Sequence, residues 1–72
     1  MSRKLNFSVT LTFESAINDD NDILEIAKNI ARAIKSEADN GYGITTDFSD
    51  TYTERVEVKP QYIDETITLD IV

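Results

Sequence analysis

The chain has 72 residues, no Cys and no His, with fourteen acidic side chains against seven basic ones, a formal net charge of −7. A chain this short makes one domain, residues 1–72, with no room for a second core. Without Cys it has no thiolate metal site and no cysteine nucleophile, and its acidity repels nucleic-acid phosphates and anionic lipid, so neither nucleic acid nor membrane is an expected direct partner.

The first residues, Met1-Ser2-Arg3-Lys4-Leu5, lack the continuous apolar core of a signal peptide. No run approaches the ~20 apolar residues of a membrane span. The expected protein is soluble and cytoplasmic. Over residues 5–13, Leu5, Phe7, Val9, Leu11 and Phe13 alternate with Asn6, Ser8, Thr10 and Thr12, which predicts a half-buried strand. The period then changes. Ile23, Ile26, Ala27, Ile30, Ala31, Ile34 and Ala38 recur at three and four residues and form one helical stripe. Asp22 and Glu25 have the spacing of a capping box, and Asn40-Gly41 supplies a left-handed residue to end the helix.

Residues 42–50 show no regular period and read as a loop with room for a short turn. A second strand is predicted over 51–59, with Tyr52, Val56 and Val58 on one face, Thr53, Arg55 and Glu57 on the other, and Pro60 closing it. The third, over 65–72, turns Ile67, Leu69 and Ile71 inward and Thr66, Thr68 and Asp70 outward. The expected fold is α+β, in the order β-α-β-β: a three-stranded antiparallel sheet of order 1-3-2 with one helix packed on one face.

The open face of that sheet carries Asn6, Ser8, Thr10, Thr12, Thr53, Arg55, Glu57, Thr66, Thr68 and Asp70, with no aromatic residue to stack an RNA base and no apolar patch for face-to-face dimerisation. Charge is zoned. Around the helix start gather Glu14, Asp19, Asp20, Asp22, Glu25, Asp64 and Glu65 against Lys59 alone. Helix capping accounts for those near the helix amino terminus. Asp64 and Glu65 arrive from a different turn and suggest an acidic docking patch. The opposite pole holds Glu37, Asp39, Asp47, Asp50 and Asp70 against Arg3 and Lys4, and the waist holds Lys28, Arg32, Lys35 and Arg55 against Glu54 and Glu57. Lys28, Arg32 and Lys35 read as a solvated helix face, with Glu25 in reach of Lys28. A calcium loop over Asn18, Asp20 and Asp22 fails the EF-hand pattern, since Ile23 and Asn29 stand where Gly and Glu are needed.

Catalysis has little to work with: no His, no Cys, no glycine-rich phosphate cradle, and carboxylates expected on a solvated surface. No catalytic residue, metal site or cofactor is expected. Phe48 is expected to cap the core, while Tyr42 after the helix-ending glycine and Tyr62 after Pro60 are candidate anchors for a partner. The candidate partner-binding residues are thus Asp19, Asp20, Asp64, Glu65, Tyr42, Asp47, Phe48, Asp50 and Tyr62.

Tiny, acidic, cysteine-free and laid out as one helix on a small antiparallel sheet, the chain resembles phage-encoded inhibitors of bacterial defence systems, the anti-CRISPR type among them. The resemblance implies a plug for a nucleic-acid site on a target protein, with acidic residues standing in for phosphates. The leading expectation is a protein-binding module, not an enzyme, docking its acidic surface onto a basic protein partner. The alternative is a self-associating structural or assembly subunit that pairs exposed strand edges, which leaves a homodimer open.

Overall fold

A computed structural model describes residues 3–40, 43–45, 48 and 50–71. Helix α1 spans Asp20–Ala38, and strands β1 (Arg55–Val58) and β2 (Ile67–Asp70) form a two-stranded antiparallel sheet. A 3-10 turn, Gly43–Thr45, lies between helix and hairpin.

The helix begins where a carboxylate captures its free amides. Asp19 has extended backbone and its Oδ1 accepts from the Asn21 N–H at 2.9 Å and the Asp22 N–H at 3.2 Å. The cap is therefore Asp19, and the expected box at Asp22 is displaced by three residues into the first turn. At the other end the Asp39 N–H donates to Lys35 O and the Asn40 side-chain amide to Ser36 O. Gly41, expected to end the helix, lies outside the described residues. Gly43 has the positive φ of 49°, and a Cβ there would stand 2.5 Å from Glu37 O, so the return of the chain against the helix end requires glycine.

In the hairpin Arg55 faces Asp70, Val56 faces Leu69, Glu57 faces Thr68 and Val58 faces Ile67. Both strands are shorter than the predicted 51–59 and 65–72; the Ile71 N–H to Glu54 O bond adds one further link beyond them. Val72 lies outside the described residues. β1 stops at Val58, one residue short of the expected end at Lys59 before Pro60, and the turn at Gln61 and Tyr62 holds Tyr62 at φ 68°, in the left-handed region.

The core is thin. Ala27, Ala31, Ala38 and Val56 are its buried apolar residues, and no large side chain among the described residues is fully enclosed. Ile23, Leu24, Ile30, Ile34, Val58, Ile67, Leu69 and Ile71 are half-buried where α1 lies over the hairpin. Full burial of one large aliphatic side chain contributes about 1.5–3 kcal/mol, and alanines contribute far less. Tyr52, expected inward, and Ile26 of the helical stripe are both exposed.

The expected three-stranded sheet is not formed. Residues 5–13 make no ladder and no backbone hydrogen bond to either strand among the described residues. Alternation fixes which side chains share a face and leaves the pairing partner open. Here β1 and β2 offer four residues each, and the small alanines of α1 let the helix close over them. The nine-residue segment, the arm below, is left outside that sandwich. Its consequence is a long molecule, 44 × 21 × 20 Å, whose radius of gyration of 13.8 Å exceeds the about 11 Å expected of a compact chain of this length.

Candidate functional site

Two exposed surfaces stand out among the described residues, the arm and the acidic helix-start pole. Leu5, Phe7, Val9, Leu11 and Phe13 are 55–85% exposed. Leu5, Phe7 and Val9 stand across a cleft of about 540 Å³ from Ile44, Thr45, Phe48 and Thr51. Phe13 lines a second cleft, of about 500 Å³, with Ile17, Ile23 and Ile26. The arm thus lies alongside the body without packing tightly on it. Its root is held by Lys4, whose Nζ donates to both Glu54 carboxylate oxygens at 2.7 and 2.8 Å. That hydrogen bond, then the charge of the ammonium itself, holds the Glu54 carboxyl below its ordinary pKa.

At the pole, Asp20 and Asp22 occupy the first turn of α1, and Asp64 and Glu65 follow the hairpin turn; all are exposed. Gln61 of that turn shares a cleft with Glu14, Ile23 and Ile26, which brings the turn beside the helix start. Lys59, the cation expected to oppose this pole, donates instead to Ile63 O at 2.9 Å and Pro60 O at 3.4 Å. No cation among the described residues forms an ion pair with Asp19, Asp20, Asp22, Asp64 or Glu65. Asp19 is committed to the helix cap.

The helix waist is internally paired: Glu25 lies 3.9 Å from Lys28 and 3.6 Å from Arg32, and Lys35 lies 2.9 Å from Asp39. This is the solvated face read from the spacing. Phe48, expected to cap the core, is 68% exposed instead, because it faces the open cleft below the arm and no closed interior. Asp50 is exposed, and Tyr62 is 93% exposed beside Asp64 and Glu65 in sequence. Tyr42 and Asp47 lie outside the described residues. The candidates therefore divide: Asp20 lies in the first turn of α1, Tyr62, Asp64 and Glu65 follow Gln61, which lines a cleft beside that turn, and Phe48 belongs with the arm.

Sequence reasoning placed residues 5–13 as a strand of the chain's own sheet, with an edge open to a second copy, and did not foresee the arm's exposure outside that sheet. The signal was present in its uncharged composition, since residues 5–13 carry no ionisable side chain in a chain with 29% charged residues. Among the described residues no group of acidic side chains is arranged to hold a metal ion, and no helix is long and apolar enough to cross a membrane. No family model, curated protein or solved structure matches this chain.

Proposed function

We propose that the chain is a non-enzymatic protein-binding module that docks its acidic helix-start surface onto a basic protein partner. The observation that carries this reading is that Asp20, Asp22, Asp64 and Glu65 are exposed and form no ion pair with a cation of the described residues, Lys59 donating to the Pro60 and Ile63 carbonyls instead, so these carboxylates are open to an outside cation. An inhibitor carried by a phage or other mobile element, working in the cytoplasm, is a setting that suits such a module.

The test uses a variant that spares the cap: Asp20→Asn, Asp22→Asn, Asp64→Asn and Glu65→Gln. Against an array of purified basic proteins, wild type should bind at least one with an association rate that falls about tenfold in the variant and similarly with added salt. Equal rates and equal salt slopes for the two proteins across the array would show that the pole binds no such partner. A second reading, a self-associating subunit, is favoured by a separate observation, the exposure of the arm.

A further inference from the structure

We propose that two copies of the chain associate arm to arm, residues 5–13 of each pairing as antiparallel strands about a two-fold axis at Val9. The proposal rests on the self-association reading and is independent of the acidic pole. Three observations lead to it. The first is area: a compact 8.1 kDa monomer exposes about 4,500 Å², and this chain exposes 6385 Å². The excess of about 1,900 Å² is larger than the about 800 Å² that each partner of a standard interface covers.

The second is charge. Two copies at −7 repel wherever their acidic surfaces meet, and residues 5–13 are a stretch free of charge along which they can approach. The third is symmetry. Apolar residues fall at 5, 7, 9, 11 and 13, so an antiparallel pairing centred on Val9 sets Leu5 opposite Phe13, Phe7 opposite Leu11, and Val9 opposite its own copy. Ser8 then faces Thr10 and Asn6 faces Thr12 on the polar side. Every cross-strand pair is of matched character, the arrangement that stabilises a ladder, and the same patch serves both subunits as a two-fold contact requires. The outer edge of β2 is a poorer match for the arm, because it offers four residues to a nine-residue strand and ends in Asp70.

The experiment combines mass with a cross-link. Light scattering of the wild-type chain over a micromolar to near-millimolar series should show a dimer at the upper end. Val9→Cys introduces the chain's one thiol at the axis, where directly opposed Cα atoms about 4.5–5.5 Å apart fall within disulfide reach. It should oxidise to a covalent dimer, while Tyr62→Cys, at a position more exposed than Val9, should stay a monomeric thiol. Ladder donors alternate inward and outward, so one of Val9→Pro and Thr10→Pro must remove an inward N–H and abolish the dimer. Neither residue donates or accepts a backbone bond within the described chain, so the monomer fold survives the change. A monomer at every concentration overturns the proposal together with the self-association reading. A dimer that Val9→Cys does not cross-link, or that both prolines leave intact, overturns the arm pairing alone.

Discussion

Lys4 and Glu54 are fifty residues apart in sequence, and their contact is the polar tie between the root of the arm and the segment entering β1. Both side chains are largely exposed, so the pair is a positioning device with small energetic weight. Because the Glu54 carboxyl is held below its usual value, the tie is complete above the ordinary glutamate pKa of about 4.3 and is lost as pH falls through the lowered value. Lys4→Met should therefore return the Glu54 titration, followed by carboxyl NMR, to the ordinary range. A titration indifferent to Lys4 would show that the arm root is not held there. Nothing in the sequence singles out Glu54 for this role over Glu57, which lies 3.1 Å from Arg55 instead.

At the level of elements, α1 was the most legible part, since its apolar residues repeat at helical spacing and a helix closes its own hydrogen bonds. The cap was not legible: Asp19, Asp20 and Asp22 are all chemically able, and the choice depends on which residue turns extended, here Asp19 at φ −78° and ψ 127°. Asp19→Ala should accordingly cost about 1 kcal/mol, and Asp22→Ala, which loses only an attraction to the helix dipole, about half that or less. Thermal melts of the two variants give the order, and an Asp22 variant that melts lower than the Asp19 variant would return the cap to Asp22. The last two strands were legible in their facing, with Val56, Ile67 and Leu69 turned inward as read, but not in length. Tyr52 and Phe48 misled because a large aromatic implies a core, and a sandwich built on alanines has none deep enough to enclose them.

On the scale of the whole molecule, the three-stranded sheet failed at residues 5–13, where the pattern is cleanest. Period-two alternation records that a face will be buried and says nothing about which chain supplies the cover. With three alanines and one valine as the buried apolar set among the described residues, the chain has not completed its core. The arm lies outside the monomer's own sheet, and amide hydrogen exchange measured against protein concentration checks this. In dilute solution amides 5–13 should exchange as unprotected backbone while those of Val56 and Leu69 stay protected, and protection of the arm should appear as concentration rises. Protection of the arm equal to that of Val56 at every dilution would instead place the segment in its own chain's sheet.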